Sequence, residues 1–350
     1  MAQPLEGIVV LDFSTLLPGP LATLLLAEAG AKVIKIERPE GDDMRRFAPR
    51  LGASSAPYIV LNRGKTVLPI DLKSREAMAT LEPLIRSADV LVEQFRPGVM
   101  DRLGLGYEAL RAINPRLVYC SITGYGQDGP RAHQAGHDLN YQAVTGLLSL
   151  SPSLPASLVA DIAGGAMPAV MNILLALRQR DATGEGQRLD IAMADAMFTF
   201  AWFALAEGHA TGRFPRAGEN MLAGGSPRYQ LYPTADGRLL AVGALEEKFW
   251  SRFCAAIDLP LALRGEAADP AATRAAVARL VAARPSAHWR AVFDTLDCCC
   301  TVVEHLDEAL ADPHFEARGL FGWTARGEAG ESLPAIVTPI APAFRKPDEP

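Results

Sequence analysis

GIVVLDFSTLLPGPLATLLLAEAGAKVIKIE, residues 7–37, decides the fold. GIVVLDF is a short apolar run rich in Val and Ile, which predicts a strand, and PGPLATLLLAEAGA has helical character. Pro20 suits a first helical turn, where its missing N–H costs nothing, and Gly30 suits the position just past a helix end. AKVIKIE then predicts a second strand. Strand, helix and strand make a βαβ unit, and such units build parallel sheets. The first βα turn reads LLPGPL and lacks the glycine spacing of a dinucleotide fingerprint, which argues against a nicotinamide enzyme.

TVLPIDL (66–72), ADVLVEQF (88–95) and RLVYCSITGYG (116–126) predict further strands, with an amphipathic helix over 74–87. From Gly164 to Arg180 the pattern is a mostly apolar helix in which Pro168 predicts a kink or break. TGEGQRLDIAMADAMFTF (183–200) reads as turn, strand and helix, and GENMLAGGSPRYQLY (218–232) as a glycine-rich loop. GRLLAVGAL (237–245) is a strand, and 247–257 and 270–297 are helical. The expected organisation is a large α/β domain over 1–190, completed by 318–350, and a smaller domain over 227–290. Stretches 191–226 and 291–317 read as linkers, and the proline-rich end from Pro334 as an extended surface segment.

With 350 residues, 49% hydrophobic and 21% charged, the chain is long enough for two domains and ordinary for a soluble globular protein. A net charge of −6 provides no basic field for nucleic acid or an anionic membrane, so neither is an expected partner. No apolar run approaches the ~20 residues that span a bilayer. The start, MAQPLEGIVVLDF, lacks a basic region before its apolar run and reads as a strand, not a leader. Five cysteines, three of them adjacent at Cys298–Cys300, fit neither a disulfide framework nor a zinc site, and a reducing cytoplasm is the expected location.

Two clusters combine an ionisable group with backbone features that tune one. The first is Gly136-His137-Asp138, and the second is Asp161 opening DIAGGAMP. Asp161 is placed as a helix N-cap, where the dipole favours its ionised form, and it becomes functional if it also faces a cleft. A lone loop histidine is most often structural. Here Gly126, Gly129 and Gly136 expose the backbone nearby, so the amide of Asp138 is a candidate donor to an oxyanion. Arg38, Lys73 and Arg96 each follow a predicted strand, where cations can hold phosphates at a sheet edge. Trp202, Trp250, Trp289 and Trp323 read as packing residues, and His133, His209, His288 and His305 have no partner motif.

The order GIVVLDF, ERPEGDD, LNRGKTVLPIDLK, ADVLVEQFRPGVMDRLGLG, LVYCSITGYGQDGP, AGHDLNY, DIAGG, TGEGQRLDIAM and NMLAGGSPRY resembles the class III CoA-transferase superfamily, which includes α-methylacyl-CoA racemases. The resemblance covers almost the whole chain in colinear order. It implies a Rossmann-like large domain, a second and smaller α+β domain, and an interlocked homodimer. It implies an acyl-CoA thioester as substrate and no metal or redox cofactor. The CoA phosphates would meet Arg38, the segment Ile70, Asp71, Leu72 and Lys73, and Arg96. Gly136, Asp138, Leu139, Asn140 and Tyr141 would lie near the thioester.

Transferases of this kind resemble the chain at Asp161, which in them attacks the acyl-CoA to form a mixed anhydride. Racemases share the sequence GHD and pair that histidine with the aspartate. By this resemblance His137 and Asp161 are the catalytic pair, and Glu246 in VGALEEKFW orients His137 from the partner subunit. The expected activity is racemisation of a 2-methylacyl-CoA by 1,1-proton transfer through an enolate, with CoA transfer as the alternative. A non-catalytic CoA-binding protein is a third reading. Two departures bear on substrate range: Ala223 and Ser226 stand where racemases have Asp and Ala, and the loop Pro39–Arg63 has transferase-like length.

Overall fold

Six parallel strands form the central sheet: β1 (Val9–Phe13), β2 (Lys32–Glu37), β3 (Thr66–Pro69), β4 (Val90–Glu93), β5 (Val118–Thr123) and β6 (Arg188–Ala192). They come from a computed structural model that describes residues 3–345 apart from positions 152 and 266. The strand order is β3-β2-β1-β4-β5-β6, so the chain runs outward from β1 to β3 and then returns to the other side of β1. Such a reversal opens a crevice at the carboxyl ends of the two central strands. Every residue of β4 and β5 is buried, as expected of strands covered on both faces.

Helix α1 (Pro18–Glu28) follows β1, with Pro18 and Pro20 in its first turn. Gly30 ends it at φ 106°, and the amide of Ala31 returns to the Leu26 carbonyl at 3.0 Å. On one face of the sheet Leu11, Ile34, Leu91 and Tyr119 pack against Leu81 and Ile85 of α2 (Ala77–Ser87) and Leu110 of α3 (Tyr107–Ile113). Ile70 belongs to this core, where its side chain is buried.

Beneath the β1–α1 turn lies a fully buried charge network. Asp12 accepts from Lys65 at 3.0 Å and from the Thr23 hydroxyl at 2.6 Å, and Lys35 pairs with Asp42 at 3.1 Å and donates to the Ser14 carbonyl at 2.7 Å. Burial raises the cost of ionising Asp12, but the charges of Lys65 and Lys35 outweigh it and hold the carboxyl well below its usual range. For Lys65 burial prevails and brings the ammonium down to about 8.

Helix α4 (Asp138–Val144) precedes α5, a continuous helix over Ala160–Thr183 whose first seven residues form a wide π turn. Asp161 is the second residue of that turn, not its N-cap as expected, because the helix begins two residues earlier than expected, with Val159 as the cap. Pro168 sits where the π turn gives way to α-helix, the place of the expected break. The 24-residue α5 holds an 18-residue window of mean hydropathy 1.6, long and apolar enough to cross a membrane by length and composition, which corrects the expectation that no such stretch exists. Its apolar character serves packing on one side, where Ala169 and Ile173 are fully buried. Met171 and Leu175 are exposed on the other. Helix α6 (Met193–Phe200) follows β6 and packs on the π turn.

The chain divides into two compact units, Met1–Thr145 with Pro155–Phe200 and Glu316–Pro350, and Gly146–Leu154 with Ala201–Phe315. The second contains a three-stranded antiparallel sheet, β7 (Tyr229–Pro233), β8 (Leu239–Gly243) and β9 (Cys300–Val302), with β8 in the middle. Its core stacks Trp289 on Phe293, with ring centroids 5.6 Å apart, beside Phe253 and Trp250. The stretches read as linkers are structured. Residues 191–226 carry α6 and α7 (Trp202–Thr211), whose nearly all-round apolar sequence hides a helical face, and 291–317 contributes β9. The helical stretch 270–297 is two helices, α8 (Pro270–Ala282) and α9 (Ser286–Phe293), because Pro285 interrupts it.

The C-terminal stretch is mostly exposed, as expected of a surface segment, and is anchored at points. A hairpin of β10 (Thr324–Arg326) and β11 (Ser332–Pro334) packs Ala325 and Ala335 on Ile59, and Thr338 hydrogen-bonds Glu28. Residues 346–350 of the predicted surface segment lie outside the described residues.

Candidate active site

A cavity of about 330 Å³ opens where the strand order reverses. Thr15, Leu16 and Pro18 reach it from the end of β1, Gln94–Pro97 from β4, and Ile122–Gly124 from β5. His137, Tyr141 and Asp161 complete the wall, all within the first unit. Leu16 stands at φ 61°, a left-handed conformation that costs a side-chain-bearing residue strain and bends the chain sharply out of β1. The amide of Gly19 donates to the Gln94 side-chain oxygen at 2.9 Å, joining the segments that leave β1 and β4.

His137 is the N-cap of α4 in extended conformation, and its amide is bound by the Asn140 side-chain oxygen at 3.0 Å. This leaves the imidazole exposed at the helix mouth. Tyr141, one turn on, donates its hydroxyl to the Gly136 carbonyl at 2.6 Å and packs edge-on against Tyr125. A Cβ at Gly136 would fall 2.7 Å from the Tyr141 ring, so glycine is needed there for close approach. Asp138 is buried. Its Oδ1 accepts from the amides of Ala160 and Asp161 at 2.6 and 3.0 Å, and its Oδ2 from Gln142 Nε2 at 2.6 Å.

Burial, with the nearby negative charge of Asp138, raises the Asp161 carboxyl to about 6, against a smaller opposing pull from His137. The cavity thus presents a histidine and a carboxyl raised to about 6, at the starts of two different helices. A pair of this kind can remove a proton and return one. As the first residue of α4, Asp138 also has an amide with no helical carbonyl to bond, suited to a developing oxyanion.

The profile of CoA-transferase family III matches residues 5–347. The chain belongs to this family. It is 36% identical to the human alpha-methylacyl-CoA racemase, an alignment covering 98% of this chain and 89% of that protein. It is equally 36% identical to a succinate–glutarate CoA-transferase of Agrobacterium fabrum, over 96% of this chain and 89% of that one. A CaiB/BaiF family protein from Brucella suis superposes with a TM-score of 0.83 at 30% identity, covering 97% of this chain and 93% of that structure.

In this family III chain the residues read from the sequence divide into groups. His137, Asp161, Gly136, Tyr141 and Arg96 share the cavity, and the buried Asp138 accepts from the Asp161 amide. Leu139 and Asn140 are exposed on α4. Arg38 is exposed and tied to its own loop, donating to the Gly41 carbonyl at 2.9 Å and pairing with Asp43. Asp71 accepts from the Lys73 amide at 3.0 Å in a turn that leaves Lys73 exposed and Leu72 partly packed. Glu246 lies in the second unit, exposed as the N-cap of the helix Glu247–Ala256.

The reading of single motifs missed Leu16, Gln94 and Met193, which line the cavity without carrying an ionisable group. It also missed Glu93, at the end of β4 beside a second cavity of about 50 Å³, whose wall also includes Arg96. Burial raises Glu93 to about 7 although Ser121 and the Phe95 amide donate to it. Its place as the last residue of a fully buried strand was the available signal.

Proposed function

We propose that the protein is an α-methylacyl-CoA racemase that moves the α-proton of a 2-methylacyl-CoA thioester from one face to the other. The observation that carries this reading is that His137 and Asp161 face one cavity, with Asp161 titrating near 6 beside His137. One of the pair takes the proton from the α-carbon, and the C–H electrons pass to the thioester oxygen as an enolate. The other protonates the opposite face, and the electrons return to the carbon. The pair exchanges acid and base roles with the epimer bound, and no electrons are gained or lost overall.

The amide of Asp138 would hold the enolate oxygen, an effect of ~3–4 kcal/mol for one preorganised donor. Arg96 on the cavity wall, with Arg38 and Lys73 outside it, would meet the CoA phosphates. The chemistry as written calls for no metal or redox cofactor. An interlocked homodimer is supported by exposed apolar side chains at Met171, Leu174, Leu175 and Trp202, and a second copy would bring Glu246 to His137.

CoA transfer is the second reading, favoured by the equal identity to a succinate–glutarate CoA-transferase. There the Asp161 carboxylate attacks the thioester carbonyl, the CoA thiolate leaves, and an acyl–Asp161 anhydride forms. Incubation with 2-methylacyl-CoA in deuterium oxide, with and without an acceptor acid, separates the two. Deuterium at the α-carbon without acceptor supports racemisation. A hydroxylamine-trapped adduct on Asp161 without deuterium incorporation overturns it.

A further inference from the structure

We propose that the buried Asp138 carboxylate is a positioning residue that fixes Asp161 opposite His137, by capping from a distance the helix on which Asp161 stands. This rests on the racemase reading for its consequence, but its geometry does not.

Helix α5 opens with a π turn, whose first amides have no carbonyl within the helix to bond. Its own cap residue, Val159, has no side-chain oxygen, and no side-chain cap bond is formed there. Asp138, 22 residues earlier, supplies the acceptor through one oxygen to Ala160 and Asp161. Its other oxygen is held by Gln142, one turn along α4, so the carboxylate cannot rotate away without losing three bonds. His137 is the neighbour of Asp138 in sequence. One carboxylate therefore sets the register between the two helix mouths that carry the catalytic pair.

The same carboxylate places a negative charge against Asp161, which supports keeping that group protonated at higher pH. The other ionisable groups around Asp161 are His137, Tyr141 and, on the cavity wall, Arg96. Helices α1 and α6, which pack on the π turn, present Pro18 and Met193 to the cavity.

Asp138→Asn keeps an oxygen for the two amides, and its new NH₂ can meet Gln142 once that amide turns over; only the charge is lost. Asp138→Ala removes the anchor as well. Carboxyl ¹³C NMR of Asp-labelled protein, with the Asp161 signal identified by its loss in Asp161→Asn, follows the titration without substrate. The expected result is a downward shift of the Asp161 midpoint by about one pH unit in Asp138→Asn. For Asp138→Ala, α-deuterium exchange should fall at least tenfold in kcat with little change in KM. In Asp138→Asn it should remain closer to wild type, its acid limb moving with the NMR midpoint. Wild-type kcat in Asp138→Ala overturns the positioning role, and an unshifted midpoint in Asp138→Asn overturns the electrostatic part. Absence of exchange in the wild-type enzyme would count against the racemase reading alone, since hydrogen–deuterium protection of the Ala160 and Asp161 amides, expected to fall in Asp138→Ala and to persist in Asp138→Asn, tests the anchor without substrate, and unchanged protection in Asp138→Ala overturns it.

Discussion

The Gly19 amide and the Gln94 side-chain oxygen, 2.9 Å apart, tie together the two segments that leave the sheet on either side of its reversal. A Cβ on residue 19 would lie 2.4 Å from that oxygen and 2.2 Å from the Cβ of Ser14, which is itself buried. Gln94 can swing into the cavity it lines, but the buried Ser14 Cβ cannot retreat, so Gly19→Ala should cost about 1–3 kcal/mol through overpacking. Denaturant unfolding measures this, and wild-type stability in that variant would show that the turn is softer than its contacts indicate.

His137→Ala removes one of two proton-transfer groups. Solvent deuterium exchange from one epimer of a 2-methylacyl-CoA should drop by about 10²–10⁴-fold. The other epimer should keep faster exchange through Asp161. Equal, wild-type exchange from both epimers would remove His137 from the mechanism.

Asp161 also has a stability signature. Its folded pKa of about 6 lies above the ordinary value of 3.8, so its stabilising contribution is full below pH 3.8 and is lost as pH rises through 6. Above pH 6 the fold carries the cost of a poorly solvated charge. Asp161→Asn should therefore raise stability at pH 7.5 relative to its effect at pH 4. Solvent screening at this partly exposed carboxyl limits the difference to about 1 kcal/mol. Thermal unfolding at both pH values checks the sign, and a variant that loses stability only at pH 7.5 would reverse it.

Much of this arrangement was legible along the chain because most strands of the sheet fall in short apolar runs, and the punctuation by Pro20 and Gly30 is local. His137 and Asp161 stood out by residue type. Their partnership was less accessible, because the helix start at Ala160 is capped by Asp138 from another helix, and no window around Asp161 contains that bond. Likewise Ile70 lies beside charged Asp71 and Lys73, and only packing against the α2 face shows that it turns inward. Trp202–Thr211 escaped notice because a sequence apolar on nearly every side gives no periodic signal.

Asp12→Asn tests the charges beneath the β1–α1 turn. It would leave Lys65 without its carboxylate in a fully buried setting, and loss of one partner from such a pair costs about 3–5 kcal/mol. Urea unfolding should show a lowered midpoint. A change under 1 kcal/mol would mean that Lys65 simply sheds its proton.

If the exposed apolar residues of α5 form a seam between copies, Leu175→Lys should dissociate them. Sedimentation at micromolar concentration should then show a monomer where the parent sediments as a dimer. A monomeric parent would remove the seam.

The hairpin and the stretch after Glu316 cover Ile59 and bind Glu28 in the first unit, although they follow the whole of the second unit along the chain. During synthesis the unit that starts first must therefore wait on the ribosome for its closing piece. The second unit emerges whole in the meantime and can condense around its own aromatic stack. Vectorial translation thus gives this chain an inside-out folding schedule, with the inserted unit finished before its host.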